Sequence, residues 1–302
     1  MGSPLQASDP GAPYCAPSDP HPRTPRLTLP AGTCDCHAHV FGPATAFPYS
    51  SARIYTPPDA LPADYVKMLR TVGVERAVLI QPSVYGADNS AMLAAMAGFP
   101  LPCRGVAVVE EMVSDAGIAR LHKAGIRGIR FNVVDVRDPT GTMPLAAIEA
   151  LALRVKPLGW HVEFLAHVDD HPDLDRRFAD FPVPIVFGHM GYMRPPLTLD
   201  NPGFKALLRL LGGGRCWVKF TGPSRISAGE MPHADVQPIA RALIEAAPER
   251  MIWGSDWPHV IIPKAMPNDG DLVDLLAEWI PDPARRRQVL VDNPTALYGF
   301  PA

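Results

Sequence analysis

The chain has 302 residues, of which 47% are hydrophobic and 20% charged, so it is long enough to bury a large core as one large domain or two ordinary ones. Its formal net charge of -3 and isoelectric point near 6.4 give no electrostatic footprint for nucleic acid or an anionic membrane, and a small soluble substrate is expected. No apolar run approaches the roughly 20 residues that a membrane span needs.

The first 30 residues are crowded with proline and lack the apolar segment of a secretory signal. Such a segment buries too little apolar surface to order itself, unless it lies along the folded body or a neighbouring subunit. We therefore predict an N-terminal arm over 1–30 and a folded domain over 31–302. The sequence leaves the oligomeric state open.

The first predicted strand contains Cys34, Asp35, Cys36, His37, Ala38 and His39. Side chains two apart on a strand share a face, so His37 and His39 can converge on one ion or one substrate oxygen. The same alternation predicts Asp35 on their face and the cysteines on the other, which argues against thiolate ligation. The five cysteines are an odd number, and we expect reduced thiols and a cytoplasmic setting.

Short apolar runs then alternate with helical patterns along the rest of the chain. Nearly continuous apolar strands indicate a parallel sheet covered by helices on both faces. About eight strand and helix units predict an α/β fold, a (β/α)8 TIM barrel, more readily than a doubly wound sheet, because no Gly-x-Gly-x-x-Gly motif follows a strand. After the first strand, the predicted strands are 77–81, 105–109, 128–132, 161–166, 185–189, 216–221 and 251–255. The predicted helices are 63–71, 89–97, 115–124, 145–156, 173–180, 203–211, 236–247 and 271–279.

A parallel barrel gathers the carboxyl ends of all its strands at one face, where enzymes of this architecture build their sites. Polar residues at the predicted strand ends would therefore meet in one bowl. These candidates are His37, His39, Ser83, Arg130, His167, His189, Arg225 and Asp256. A lone histidine such as His167 is weak evidence of a site, whereas the pair His37 and His39 with a third histidine and an acid is strong.

Four blocks in this order and spacing carry a family resemblance. They are Asp-Cys-His-Ala-His-Val-Phe-Gly-Pro at 35–43, Arg-Gly-Ile-Arg-Phe-Asn at 127–132, Gly-His-Met-Gly at 188–191 and Gly-Ser-Asp-Trp-Pro-His at 254–259. From about Pro30 to Phe300 the chain resembles the amidohydrolase superfamily, of the amidohydrolase 2 type, and within it the 2-pyrone-4,6-dicarboxylate lactonase group. The resemblance implies a (β/α)8 barrel in which water attacks an ester or lactone carbonyl.

The resemblance also implies residue roles. Asp256 corresponds to the general base that activates water, and His37, His39 and His189 correspond to the groups that polarise the carbonyl. Tyr55, Ser83, Arg130 and Arg225 fall where the lactonases hold their substrate, and Tyr192 and His259 complete the predicted substrate-binding set.

The chain departs from the lactonase pattern at several anchoring positions. Tyr192 replaces an expected arginine, a second arginine is displaced to Arg137, and Leu165 replaces a tyrosine. Fewer cationic anchors favour a substrate with one carboxylate or another anionic group over a dicarboxylate.

The sequence leaves metal use open, because most of the superfamily binds divalent ions while the pyrone lactonases resemble a metal-free variant. His37, His39, His189 and Asp256 make a three-nitrogen, one-oxygen shell suited to one divalent metal such as zinc, to which His167 could add a ligand. Without metal, the histidines would donate hydrogen bonds to the developing oxyanion.

The sequence therefore predicts a hydrolase that opens a small anionic lactone, in the catabolism of aromatic or sugar-derived acids. A metal-dependent decarboxylase of a muconate-like carboxylate is one alternative. The other is a non-catalytic barrel that binds a small acid, which would have no need of a positioned base.

Overall fold

The computed structural model describes residues 12–135, 143–262 and 264–301, and within them eight parallel strands form one sheet in chain order. The last strand meets the first through a bridge between Ala38 and Trp257. The sheet is therefore a (β/α)8 barrel, as predicted, and the doubly wound alternative is excluded. The strands are β1 Cys34–Ala38, β2 Arg76–Ile80, β3 Cys103–Ala107, β4 Ile126–Asn132, β5 His161–Leu165, β6 Ile185–Phe187, β7 Cys216–Phe220 and β8 Met251–Trp253.

Helices surround the barrel, and the first of them shows why the sequence places them there. It begins with Pro62, whose missing N–H costs nothing in a first turn, and ends at Gly73 in a left-handed conformation. Its buried residues include Tyr65 and Leu69, four apart and thus on one face. The helices are α1 Pro62–Val72, α2 Ser90–Ala97, α3 Asp115–Lys123, α4 Leu145–Val155, α5 Leu174–Arg177, α6 Pro202–Gly212, α7 Pro223–Ile226, α8 Gln237–Ala246, α9 Asp269–Trp279, α10 Pro283–Arg287 and α11 Asn293–Tyr298.

Alternate strand residues divide the core into two layers. One layer packs between the strands and the helices and includes the aromatic cluster of Phe164, Phe178 and Phe187, where truncation to alanine typically costs about 3–5 kcal/mol. The other layer lies inside the barrel, where Val78, Val106 and Val186 pack with the C-terminal residues Leu297, Tyr298 and Phe300. This apolar layer supports the polar site at the opposite, C-terminal end of the strands.

The described part of the proline-rich segment lies along the barrel. The backbone of Cys15 donates to Thr56 (2.9 Å), and the backbone of Thr56 donates to Pro13 (2.8 Å). Farther along, the amide of Arg23 donates to Asn268 (2.9 Å) and that of Leu27 to Asp274 (2.9 Å). These bonds offset the ordering entropy of a segment that buries little apolar surface. The division into an arm and a barrel stays a prediction.

Two further observations bear on the sequence-based expectations. None of the helices in the described ranges combines the length and the apolar run that crossing a bilayer requires. The five cysteines all lie within those ranges, and each of them is a free thiol.

Candidate active site

The four residues predicted to be catalytic lie together at the C-terminal end of the barrel. The His37 ring lies 5.1 Å from the His39 ring and 5.0 Å from the His189 ring, measured between centroids. His37 Nε2 is 3.7 Å from Asp256 Oδ1. All four side chains are buried. Residues up to 219 positions apart in the chain thus form one cluster, because the parallel strands carry them to the same end.

The seam between β1 and β8 fixes how this cluster is held. The carboxylate of Asp35 accepts hydrogen bonds from the backbone N–H of His37 (3.0 Å), the backbone N–H of Ser255 (2.9 Å) and the hydroxyls of Ser255 (2.5 Å) and Tyr65 (2.9 Å). The backbone of Asp256 in turn donates to the carbonyl of His37 (2.8 Å). Asp35 therefore joins the strand that carries the first histidines to the loop that carries Asp256.

The placement of Asp35 corrects one sequence-based expectation. The register of β1 against β2 shifts between Asp35 and Ala38, so strict alternation fails there. Asp35 faces Tyr65 of α1, while His37 faces Lys219 inside the barrel. Cys36 packs inside the barrel as well, and its thiol donates to the carbonyl of Cys34. Among the described residues, the group that could hold a metal consists of His37, His39 and Asp256, and the prediction against thiolate ligation stays a prediction.

We expect Asp35 to make stability pH-dependent. Burial, opposed by its hydrogen bonds, raises the pKa of Asp35 from 3.8 to about 6. The folded protein then holds a proton that the unfolded chain releases, so this contribution to the free energy of unfolding is lost as pH rises from about 4 to about 6, by at most about 3 kcal/mol. Denaturant titrations at the two pH values should show a smaller decrease for Asp35→Asn than for the parent. An equal decrease in both proteins would contradict this role.

The three histidines are neutral imidazoles at neutral pH. Burial first, and then nearby cations, hold the pKa of each of His37, His39 and His189 well below its usual value, and Arg130 is the cation that acts on all three. A neutral imidazole carries one N–H and one lone pair. His39 Nδ1 lies 2.8 Å from the carbonyl oxygen of Ile80, which can only accept, so Nδ1 carries the proton and Nε2 of His39 the lone pair.

The two carboxylate oxygens of Asp256 differ in their hydrogen bonding within the described residues. Arg225 Nε donates to Asp256 Oδ2 at 2.6 Å. Burial lowers the pKa of Arg225, but the adjacent carboxylate outweighs that effect and raises it above its usual value. Asp256 Oδ1 is buried and has no hydrogen-bond partner among the described residues. That oxygen can accept a proton from a bound water.

Gly222 lets these groups approach one another. It has a left-handed conformation (φ 55°, ψ 53°), and a Cβ at this position would lie 2.6 Å from His189 Nδ1 and 2.9 Å from Asp256 Oδ2. Both distances are shorter than van der Waals contact. A glycine is therefore required between the third histidine and the acid.

A small pocket opens beside the cluster. His39 and His189 line it, together with four of the predicted substrate-binding residues, Tyr55, Ser83, Arg130 and Arg225. Arg130 Nη1 donates to the carbonyl of Gln81 (3.2 Å), and its buried Nε has no hydrogen-bond partner among the described residues. The pocket thus presents two guanidinium groups and two hydroxyls, a lining suited to an anionic ligand.

Three other predicted residues lie outside this lining. Tyr192 packs against His189 at 5.3 Å between ring centroids, and its hydroxyl donates to Asp135 (3.1 Å). His167 stacks on Tyr192 and is absent from the group of candidate metal ligands in the described residues. His259 Nε2 pairs with Asp269 Oδ1 (3.0 Å), and His259 lines a neighbouring pocket together with Tyr55. Arg137 lies outside the described residues.

Sequence reasoning missed two charged residues below the site. Lys219 of β7 donates to Glu163 of β5 at 2.6 Å, and both side chains are almost completely buried. Each is the single charged residue of an otherwise apolar strand, His-Val-Glu-Phe-Leu and Cys-Trp-Val-Lys-Phe. That isolated charge is the signal from which the pair could have been found, because burying it requires a partner.

Three side chains of this cluster could supply ligand atoms to a metal ion. One ligand atom each from His37, His39 and Asp256 lies within 4.8 Å of the other two, and all three residues are buried. His189 borders this group, with its Nδ1 buried and without a hydrogen-bond partner in the described ranges.

Comparisons with known proteins place the chain in one family. The amidohydrolase family model matches residues 34–300. The chain is 36% identical to a 4-sulfomuconolactone hydrolase of Hydrogenophaga intermedia, over 95% of each chain. It is 37% identical to a 2-pyrone-4,6-dicarboxylate hydrolase of Comamonas testosteroni, over 92% of this chain and 93% of the relative. It is also 31% identical to a D-galactarolactone isomerase of Agrobacterium fabrum (strain C58), over 91% of this chain and 93% of the relative.

Proposed function

The chain belongs to the amidohydrolase family, and from this premise we propose that it is a hydrolase that opens a small anionic lactone with an activated water. One observation carries the proposal: Asp256 Oδ1 has no hydrogen-bond partner in the described part of the chain and lies beside a pocket lined by two guanidinium groups. A binding protein has no need of such a carboxylate. The relatives that act on lactones support the same chemistry.

The reaction follows from these groups. Asp256 Oδ1 takes a proton from water while the water oxygen bonds to the lactone carbonyl carbon. Negative charge develops on the carbonyl oxygen, where an imidazole N–H that faces the site can stabilise it. The ring C–O bond then breaks, and the leaving oxygen takes the proton that Asp256 accepted. The product is an open chain with one new carboxylate.

The pocket's charges point to the substrate class. Arg225 is paired with Asp256, and Arg130 Nε lies 4.0 Å from Glu163 Oε1, but this buried N–H has no hydrogen-bond partner in the described ranges. Tyr55 and Ser83 add hydroxyls to the lining of the pocket. Tyr192 donates to Asp135 where the lactonases have an arginine. We propose a substrate with one carboxylate or a comparable anionic group, used in aromatic or sugar-acid catabolism.

The reaction has two forms, with and without a metal. In the first, His37, His39 and Asp256 would hold one divalent ion such as zinc, with His189 as a further ligand. A bound zinc ion would polarise the carbonyl and lower the pKa of water to about 7. The three donor atoms fit that ion in number and kind, provided that His37 offers the lone pair of Nε2. In the second form, the imidazoles act by hydrogen bonding alone.

A panel of lactones followed with a pH indicator tests the function. We expect ring opening of anionic lactones in preference to neutral ones. Release of carbon dioxide without ring opening would favour the decarboxylase, and binding without turnover would favour the non-catalytic barrel.

We expect Arg130→Met to raise KM for an anionic lactone by about 10- to 100-fold, because a charge-assisted hydrogen bond is worth about 1.5–3 kcal/mol. Arg130→Lys keeps the charge and should lose less. Steady-state kinetics of the two variants check this, and an unchanged KM in Arg130→Met would remove Arg130 from the substrate site.

We also propose a cytoplasmic location, since five free cysteines suit a reducing compartment. Fractionation of the source cells would test it. Recovery of the protein outside the cytoplasm would contradict it.

A further inference from the structure

Two buried charges lie directly under the first histidine. Lys219, Glu163 and His37 are each at most 1% exposed. Burying an ammonium and a carboxylate costs several kcal/mol per ion, repaid only when the geometry satisfies both groups. An apolar pair would fill the same space without that cost, which raises the question of what Lys219 does for the site.

The contacts of Lys219 define its protonation and that of its neighbour. Its Nζ lies 2.6 Å from Glu163 Oε2, 2.9 Å from the carbonyl oxygen of Cys36 and 3.3 Å from His37 Nδ1. An ammonium has three N–H donors and no lone pair, so these three contacts use all its donors. His37 Nδ1 must then be the acceptor. The competing acceptor for an Nδ1–H is Glu163 Oε1, which at 3.6 Å is beyond hydrogen-bond distance.

We propose that Lys219, held in place by Glu163, is a positioning residue that fixes neutral His37 in the tautomer with its proton on Nε2. His37 Nε2 is buried, has no hydrogen-bond partner among the described residues and lies 3.7 Å from Asp256 Oδ1. The N–H therefore points to the space beside the general base. There it donates to an oxygen of the water or the substrate, a consequence that rests on the proposed lactone hydrolysis.

The two histidines of the first strand then have opposite roles. His39 donates through Nδ1 to Ile80, which leaves a lone pair on its Nε2. His37 accepts at Nδ1 from Lys219, which leaves an N–H on its Nε2. One imidazole is a donor toward the site and the other an acceptor. A metal shell that needs the His37 Nε2 lone pair is incompatible with this arrangement. The reaction therefore takes its second form, the one without a metal.

Histidine tautomers are measured directly by long-range proton–nitrogen NMR on the full-length protein, with signals assigned by removing single histidines. We expect Nε2–H for His37 and Nδ1–H for His39. In Lys219→Met, His37 should lose the Nε2–H form as Nδ1–H turns to Glu163. Lys205→Met removes a half-exposed lysine that pairs with Asp200 and should leave both signals unchanged.

A second variant controls for misfolding of Lys219→Met. Lys219→Met with Glu163→Gln removes both buried charges at similar side-chain length, and the same change in His37 is expected. For both variants, kcat should fall by on the order of 10²-fold with KM within a few-fold, the effect of losing one oxyanion donor. Zinc added to the parent protein should leave the His37 nitrogen signals unshifted.

Three results would overturn the inference: Nδ1–H on His37 in the parent, a His37 signal that is the same in the parent and both Lys219 variants, or zinc coordinated at His37 Nε2. The NMR measurement of the His37 tautomer does not require the protein to turn over a substrate. An Nε2–H signal for His37 in a protein that opens no lactone would contradict the proposed function but would still support the inference about Lys219. Lactone opening by a protein whose His37 carries Nδ1–H would support the proposed function and overturn the inference about Lys219.

Discussion

Asp256→Asn is expected to lower kcat for lactone opening by on the order of 10³-fold, because the amide keeps the shape of the carboxylate but cannot accept the proton of the attacking water. The free oxygen of Asp256 is the site's one carboxylate oxygen beside the pocket without a partner in the described ranges. Binding depends less on this oxygen, so KM should change by only a few-fold. Steady-state kinetics on an anionic lactone measure both constants.

Asp256→Asn also leaves the guanidinium of Arg225 without its ionic partner. A thermal melt of the variant is needed to separate lost chemistry from lost folding. Asp200→Asn, at an exposed carboxylate paired with Lys205, is the matched control and should keep full activity. A folded Asp256→Asn protein whose kcat stays within a few-fold of the parent would rule out Asp256 as the base.

Gly222→Ala is expected to lower kcat/KM by at least on the order of 10²-fold. The added methyl would lie 2.6 Å from His189 Nδ1 and 2.9 Å from Asp256 Oδ2, so one of these groups must move. Displacements of about 1 Å in catalytic groups can cost on the order of 10²-fold. The left-handed backbone adds a cost of about 1–2 kcal/mol in stability. Kinetics and a denaturant titration measure the two effects separately.

Gly229→Ala provides the matched control for this substitution. Gly229 is exposed in the same region, and the nearest atom to a Cβ there is the Ser227 hydroxyl at 3.8 Å. Its activity should match the parent's. If Gly222→Ala retained full activity, the close approach of His189 and Asp256 would have no catalytic importance.

The fold and the four catalytic candidates were accessible from the sequence for one physical reason. Buried parallel strands read as short apolar runs, and their carboxyl ends share one face of a barrel. His37, His189 and Asp256 could therefore be placed together without any knowledge of distances. The pocket residue Tyr55 needed the family resemblance, because nothing in its local pattern distinguishes it from a loop residue.

The seam at Asp35 could not be predicted in the same way. Alternation along β1 assigns Asp35 to the face of His37, but the register shift beside β2 turns the two apart. Such a shift depends on the neighbouring strands rather than on the local sequence. His259 has a left-handed conformation (φ 63°) and its Nε2 contacts Asp269, which the local sequence does not reveal, and its role in substrate binding stays a prediction.

The pair of Lys219 and Glu163 is an intermediate case. A single charge within an apolar strand is visible in the sequence, and physical chemistry demands a partner for it. The identity of that partner depends on which strands face each other across the barrel. The tautomer of His37 depends in turn on a contact of 3.3 Å, which only the folded structure supplies.

Ring opening in oxygen-18 water tests the central claim most directly, since hydrolysis, isomerisation and decarboxylation leave different products. We predict that mass spectrometry of the product of an anionic lactone will show one labelled oxygen in the new carboxylate and no carbon dioxide release. A product of unchanged mass, as an isomerase would give, or loss of carbon dioxide would contradict the account.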